Sequence, residues 1–321
     1  MSLISVVIPV FNEEGNLDAL YQRLAALDGK GDDRFEFLFV DDGSRDASRD
    51  IIRKLAAADP RVRFLFFSRN FGHELATTAG VDAARGDAVV IIDADLQDPP
   101  EMVPELVKKW REGFQIVYAQ RRARKGESAL KKCTSWLFYR LIRAMSDCDI
   151  PKDTGDFRLI DRRVADAFRR CREQNRFVRG LIAWTGFRQT AVPYDRDERL
   201  AGQTKYNFVR LVRLAFDAML GFSTFPLRMG LLLGVLVSVV ALVKMCHVLY
   251  QKIFYDIRIE GYALQTTAIL LLGGVQLLLI GLVGSYIGRI YRQSQDRPLY
   301  IVADQSDEKN VGPEDRKAGG P

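Results

Sequence analysis

Twenty consecutive residues without a charge, AILLLGGVQLLLIGLVGSYI from Ala268 to Ile287, restrict this chain more than any other feature. Wound as an α-helix they cover roughly 30 Å, the thickness of a bilayer's hydrocarbon core. An earlier block, MGLLLGVLVSVVALVKMCHVLY from Met229 to Tyr250, is interrupted only by Lys244 and His247 near one end. A lysine there can snorkel to the interface, where Tyr250 and Tyr255 also belong. A buried helix of a soluble protein is the alternative, but two such blocks joined by a short polar stretch predict a transmembrane hairpin over residues 227–290. Arg228, Arg289, Arg292 and Arg297 flank it in keeping with the positive-inside bias. That argument is supporting only, because Lys252 and Arg258 lie in the connection. The opening MSLISVVIPVF does not resemble a signal peptide. The expectation is a multi-pass cell-membrane protein with residues 1–206 in the cytosol and a tail, residues 291–321, returned to the same side.

The first half of the chain is organised differently. Apolar runs LISVVIPVF, FEFLFV, VRFLFF, AVVII and FQIVYAQ alternate with segments whose apolar residues recur at helical spacing. Such alternation predicts an α/β fold with a mostly parallel, doubly wound sheet, whose ligands collect beyond the carboxyl ends of the strands. The loops found there are FNEE, DDGS, SRNFG and DADLQD, so nearly every polar cluster falls on one edge of one sheet. Ser44 is placed to cap the helix that follows DDGS. Further on, residues 129–146 and 207–226 mix apolar, aromatic and basic residues at helical intervals and suit helices lying in a membrane interface. The polar, Gly/Pro-rich end from Asp304 reads as disordered. Four cysteines without CxxC spacing, and only two histidines, argue for reduced thiols and against zinc. The net charge of +6 fits anionic headgroups and phosphate substrates better than nucleic acid in a chain with membrane spans.

Asp93 and Asp95 sit two apart at the end of the fourth apolar run. If the strand continued they would share one face, and carboxylates so close repel unless a proton or a hard cation intervenes. Mg2+ or Mn2+ suits oxygen ligands and leaves positions for phosphate oxygens, and Gln97 is near enough to add a neutral donor. Pro9 and Phe11 could flank a base, Asn12 and Glu13 offer hydrogen bonds, and Asp42 could meet a base or ribose edge beside the turn at Gly43. A helix-capping turn at Asp41-Asp42-Gly43-Ser44 is the plainer explanation, though it leaves the paired acids without a purpose. Arg121, Arg122 and Arg124 follow the fifth run, next to the metal loop, and are weighed there against an ordinary solvated surface. His73, alone in SRNFGHE, receives no role.

Together, ISVVIPVFNEE, FLFVDDGSRDAS, SRNFGHELATTAG, VIIDADLQDPPE and DTGDFRLIDRR resemble the family 2 glycosyltransferases of GT-A fold. More narrowly they resemble the bacterial polyisoprenyl-phosphate glycosyltransferases of bactoprenol glucosyltransferase type, relatives of dolichol-phosphate mannose synthase. The resemblance covers Met1 to about Ile290, including both spans. It implies a Rossmann-like sheet domain followed by interfacial helices and two transmembrane helices. It also implies that Pro9, Phe11, Asn12, Glu13, Asp41, Asp42, Asp93 and Ala94 hold the nucleotide sugar, while Asp93, Asp95 and Gln97 hold the metal and diphosphate. Asp156 matches the carboxylate proposed as base or acceptor-orienting group, with Asp153 close enough to remain an alternative, and Asp95 is the second catalytic candidate. YDRDERLAGQTKYNF resembles the family's YxxRxxGxSKY loop, which makes Arg196, Arg199 and Lys205 phosphate ligands beside Arg121, Arg122 and Arg124. Thr204 keeps the hydroxyl where that pattern has serine.

The implied reaction is an inverting, metal-dependent transfer of a hexose to polyisoprenyl phosphate, with UDP-glucose as first choice of donor and GDP-mannose or a modified UDP-sugar behind it. A phosphate monoester is already largely anionic at neutral pH, so strong general-base help is less necessary than for an alcohol. A processive synthase would bring a QxxRW signature and more spans; an aspartyl phosphatase would carry its DxD after the first strand. A nucleotide-binding membrane scaffold without turnover is the alternative of another class. The interfacial helices are compatible with a homo-oligomer at the bilayer.

Overall fold

The computed structural model describes residues 1–27, 33–121, 154–174, 176–194, 225–255 and 261–306. The chain divides into two compact units, the first built from Met1–Tyr139, Cys148–Tyr206 and Pro298–Pro321, the second from Arg140–Asp147 and Asn207–Arg297. The first contains an eight-stranded sheet. Its strands are β1 (Leu3–Val10), β2 (Arg34–Asp41), β3 (Val62–Phe67), β4 (Ala88–Ile91), β5 (Ile116–Arg121), β6 (Thr154–Asp161), β7 (Gln189–Tyr194) and β8 (Val302–Gln305). They lie in the order β7-β5-β6-β4-β1-β2-β3-β8. The helices are α1 (Leu17–Ala25), α2 (Ser48–Ala58), α3 (His73–Ala83), α4 (Val103–Arg111), α5 (Arg162–Arg170) and α6 (Val178–Trp184).

β1 is parallel to both β2 and β4, and β2 to β3. The chain therefore runs outward from β1 through β2 and β3, then crosses back to β4 on the other side of β1. That reversal makes a crevice at the carboxyl ends of the strands, the usual ligand position in such sheets. The doubly wound, mostly parallel sheet expected of a GT-A domain is present. β6 departs from the parallel pattern, running antiparallel between β4 and β5.

Both faces of β1 are covered, which explains its unbroken apolar run. Ile4, Val6, Ile8 and Val10 join Leu17, Leu20 and Leu24 of α1, Ile52 of α2 and Leu106 of α4 in one core. On the opposite face α3 lies so close that a Cβ on Gly80 would come within 2.1 Å of Val7 Cγ1. Pro9 is buried in this central strand without harming it. Leu3 and Val7 accept from Asp87 and Ile92 on the β4 side, so the missing N–H of Pro9 points past the end of β4, where no ladder partner is required.

The second unit contains α7 (Phe225–Tyr255) and α8 (Tyr262–Ser294). Within them Met229–His247 and Leu271–Ser294 are long and apolar enough to cross a membrane, with mean hydropathy 2.4 and 1.8. Leu231, Leu236, Ile269 and Leu278 stand exposed along them. Residues 129–146 and most of 207–226 lie outside the described residues. The tail differs from expectation at its start. Val302–Gln305 form β8, antiparallel to β3, and Asp304 is ion-paired with Arg53 at 2.9 Å. An edge strand with open N–H and C=O groups gives even a short polar segment a backbone ladder to join.

Candidate active site

The first two site loops are sewn to each other. Ser44 does not cap α2; its Oγ accepts from the Asn12 amide at 2.9 Å, while Asn12 Oδ1 accepts from the Arg45 amide at 2.9 Å. Glu14 Oε2 likewise accepts from the Ala47 amide as Asp46 Oδ2 accepts from the Glu14 amide, and Ser48 Oγ accepts from the Glu13 amide. Asn12 adopts φ 54°, the left-handed turn that lets its side chain reach across. Glu13 Oε2 accepts from Asn16 Nδ2 at 2.6 Å. Polar groups predicted to meet a ligand thus also fix the loops that frame it.

The aspartates of DDGS face inward. Asp41 is fully buried and accepts from the Gly43 and Ser44 amides and from Arg49 Nε at 2.6 Å. Asp42, also buried, accepts from the amides of Phe71 and Gly72, at 2.6 and 2.9 Å, and so pins the SRNFG loop. Burial pushes its carboxyl up, against the two amides that pull it down. Gly43, at φ 76°, allows the loops to touch; a Cβ there would stand 2.5 Å from the backbone of Arg69 and Asn70. Between them opens a cleft of about 390 Å³, where half-exposed Phe11 and the basic Arg45, Arg49 and Arg69 meet Asn12, Ser68 and Asn70.

Beyond β4 the chain turns at once. The strand ends at Ile91, Leu96 takes φ 60°, and Asp95 Oδ1 accepts from the Gln97 amide at 3.2 Å. Asp93 and Asp95 therefore do not occupy one face of a continuing strand. Instead Asp93 meets residues distant in sequence. The β4–β6 register pairs Ile91, the last residue of β4, with Arg158, and Asp156 lies two residues before Arg158 on β6, near the same strand end as Asp93. His73, at the start of α3, lies between them, with Nε2 3.6 Å from Asp93 Oδ1 and 3.5 Å from Asp156 Oδ2. One ligand atom from each of the three falls within 4.8 Å of the other two, a group that does not include Asp95.

Asp156 is held from the other side by Arg179 of α6. The guanidinium takes both carboxylate oxygens, Nε to Oδ1 at 2.6 Å and Nη2 to Oδ2 at 2.7 Å. This is the planar two-bond fit that only arginine provides. The start of α6 is fixed to the start of α3, since Glu74 accepts from the Val178 amide at 2.8 Å. Beneath, buried Arg158 donates to the Gly155 carbonyl at 2.9 Å. The charges respond to one another. Burial pushes the Asp93 carboxyl up to about 6, opposed by His73 and reinforced by Asp156, Asp98 and Asp95. Burial opposes a charged His73, yet the hydrogen bond to Asp156 and the nearby carboxylates raise it to about 9. Burial also opposes an ionised Asp156, but Arg179 and His73 hold its carboxyl well below the usual range. Burial lowers Arg158 to about 10.

A divalent cation fits this corner. Asp93 Oδ1 is buried without a hydrogen-bond partner, an acceptor that ordinary packing would not leave unused. The donors around it are carboxylates, whose oxygens suit Mg2+ or Mn2+, and the His73 imidazole, which could join them once a bound cation displaces its proton.

Of the remaining predicted residues, Ala94 and Gln97 are buried in the loop after β4. Next to them, buried Asp98 accepts from the Tyr194 hydroxyl. Arg121 ends β5, opposite Tyr194 of β7. Arg122, Arg124, Asp153, Arg196, Arg199 and Lys205 lie outside the described residues. Sequence reasoning missed His73 as a member of the site, and it missed Arg179 altogether. The position of His73 beside NFG at a strand end was the available signal. Cys171 and Cys246 are free thiols.

A doubly wound, mostly parallel sheet with acidic loops along its carboxyl edge is an architecture that nucleotide-sugar transferases share with other nucleotide-binding proteins. The profile described as "Glycosyl transferase family 2" matches residues 5–169, and that described as "GtrB C-terminal hairpin" matches residues 225–290. An uncharacterized glycosyltransferase YkcC of Bacillus subtilis is 50% identical, covering 98% of this chain and 95% of the relative. A protein named bactoprenol glucosyl transferase in Shigella phage SfV is 41% identical over 94% of this chain and 98% of its own length. A prophage bactoprenol glucosyl transferase homolog of Escherichia coli K12 is also 41% identical, over 93% and 98%. The chain belongs to the family 2 glycosyl transferases and carries, at residues 225–290, a hairpin of the GtrB type.

Proposed function

We infer that this glycosyltransferase moves a hexose, glucose from UDP-glucose in the first instance, onto polyisoprenyl phosphate at the cytosolic face of the cell membrane, with inversion at the anomeric carbon. The observation that carries the reading is the convergence of His73, Asp93, Asp156 and Arg179 at the carboxyl edge of the sheet, in a chain that also holds two apolar helices. The names of the phage and prophage relatives support the lipid acceptor and the glucosyl donor.

The nucleoside would occupy the cleft between Phe11, Gly43 and Arg69, with its diphosphate directed toward Asp93. Asp93, with Asp95 and Gln97 of the same loop, would hold Mg2+ or Mn2+. Bound there, the cation would neutralise charge developing on the leaving diphosphate. Arg179 keeps Asp156 ionised and fixed in direction, so Asp156 orients the acceptor rather than storing a proton. A lipid phosphate brings its own negative charge and does not require that proton to be taken. His73 separates two carboxylates that would otherwise repel across the site. Arg121, Arg122, Arg124, Arg196, Arg199 and Lys205 are assigned to the phosphate groups.

Purified full-length protein incubated with Mn2+, undecaprenyl phosphate and separately labelled UDP-glucose, GDP-mannose and other nucleotide sugars tests this directly. Labelled lipid from UDP-glucose, lost in Asp93→Ala, is the expected result. Label from another donor would replace the sugar assignment, and transfer to undecaprenol in place of its phosphate would overturn the acceptor.

A further inference from the structure

The segment after α8 does more than end the chain. Ser294 closes the helix, and Tyr300 is already part of the first unit, its ring stacked on Phe67 with centroids 5.1 Å apart and planes 15° from parallel. Its hydroxyl donates to Asp82 Oδ2 at 3.0 Å, the oxygen that also takes Arg172 at 2.8 Å. Burial, then Asp82, raises the phenol, so it remains a donor throughout the physiological range. The neighbouring Ile301 carbonyl accepts from the Ser68 amide at 3.0 Å, Val302 pairs with Phe67, and Ser306 makes two further bonds to Phe64.

These contacts end at the donor cleft. Ser68 lines it, together with Arg69 and Asn70 of the same loop. Phe67, under Tyr300, meets the edge of Phe71 at 5.6 Å and 85°, and the Phe71 amide is the one that donates to Asp42. The Phe67 carbonyl accepts from Arg49 at 2.6 Å, and Arg49 is another wall of the cleft. Loop 68–72 is thus gripped at its first residue by the Ile301 carbonyl and near its last by the stack Tyr300, Phe67, Phe71.

We propose that Tyr300 is a positioning residue for the nucleotide donor, acting through Phe67 and loop 68–72 without touching the ligand. Simple protection of the β3 edge would need only the β8 ladder and the Arg53–Asp304 pair. It would not need a half-buried tyrosine stacked on Phe67, the residue that leads into the site loop. The proposal rests on the cleft being the donor site. It makes Tyr300, in the segment between the second apolar helix and β8, part of the donor machinery, so that nucleotide affinity depends on a residue far from the sequence motifs.

The test uses the full chain in detergent, measuring UDP binding by calorimetry and steady-state donor and acceptor KM. Tyr300→Ala is expected to weaken UDP binding and raise donor KM about tenfold, the scale of a lost aromatic pair with its hydrogen bond, while acceptor KM stays unchanged. Tyr300→Phe keeps the stack and should fall between wild type and Tyr300→Ala. Asp304→Ala, which cuts only the outer ion pair, should leave donor KM alone. Unchanged donor parameters in Tyr300→Ala would overturn the proposal. So would parallel loss of donor and acceptor parameters with a lowered Tm, which marks a purely structural role. Arg69→Ala separates the two ideas: if wild type binds UDP and Arg69→Ala binds it equally well, the cleft assignment fails independently of Tyr300.

Discussion

Arg179 illustrates how one side chain sets the chemistry of another. Its fork occupies both oxygens of Asp156, which is largely buried, so removing the guanidinium would leave that charge to His73 and the more distant Arg158, neither of which holds both oxygens. Arg179→Ala is therefore expected to lower kcat on the order of 10²-fold, the cost of a reacting group slightly misplaced, with donor KM nearly unchanged. Arg179→Lys should recover little, because a point charge cannot hold two oxygens in plane. An equal loss in kcat and donor KM would refute the positioning role. Asp59 gives a prediction about stability instead. It accepts from the Arg61 amide and guanidinium and from the Tyr21 hydroxyl, and Arg61 above all holds its carboxyl at about 2. A lowered folded value stabilises above the unfolded value near 3.8, and that contribution fades as pH falls toward about 2. Asp59→Asn should cost about 2 kcal/mol near neutrality and almost nothing close to pH 2, as read from urea midpoints of both proteins across that range. Arg179 was not recoverable from sequence and His73 only through its place beside NFG, since each gains meaning from carboxylates brought to it by the fold. Asp93 and Asp42 were legible because a buried strand ending on acids is unusual by itself.

Among elements, strands were easier to read than their directions. The apolar runs identify β1 to β5, but alternation does not encode whether a neighbour is parallel, so antiparallel β6 and the short β8 emerge only from the sheet. Loop geometry was partly visible. Gly43 was identified as a tight turn, whereas its closeness to the loop after β3 was not, because that contact joins separate crossovers of the fold. The glycine has a testable consequence. Gly43 and Gly113 both have positive φ, 76° and 98°, so alanine strains the backbone at either position. Only at Gly43 would the added carbon meet backbone, at 2.5 Å, while nothing lies within 4 Å of a Cβ on Gly113. Gly43→Ala should accordingly raise donor KM by roughly tenfold or more, and Gly113→Ala should cost only the strain, about 1 kcal/mol, in Tm and leave KM unchanged. Equal effects would show that the loop contact does not shape the cleft.

At the scale of the molecule, connectivity constrains membrane topology more firmly than flanking charge does. β1 to β7 precede the two apolar helices and β8 follows them, yet all eight strands belong to one sheet. A sheet cannot be divided by a bilayer, because its backbone ladder would have to cross hydrocarbon unpaired. The segment α7 to α8 must therefore begin and end on the same side, so if one helix crosses, the other crosses back. The apolar side chains left exposed along both helices would supply the drive for such a crossing, at about 25 cal/mol for each Å² withdrawn from water. Single cysteines in a background lacking the native four report this in sealed vesicles. Glu105→Cys in α4 and Ile301→Cys before β8, both exposed, should react with an impermeant maleimide from the same side, and Gln265→Cys at the start of α8 from the other. In right-side-out cells the first two should be protected, in keeping with a cytosolic sheet domain. Labelling of Glu105→Cys and Ile301→Cys from opposite faces is incompatible with the β3–β8 pairing and would refute the topology and the Tyr300 strap together.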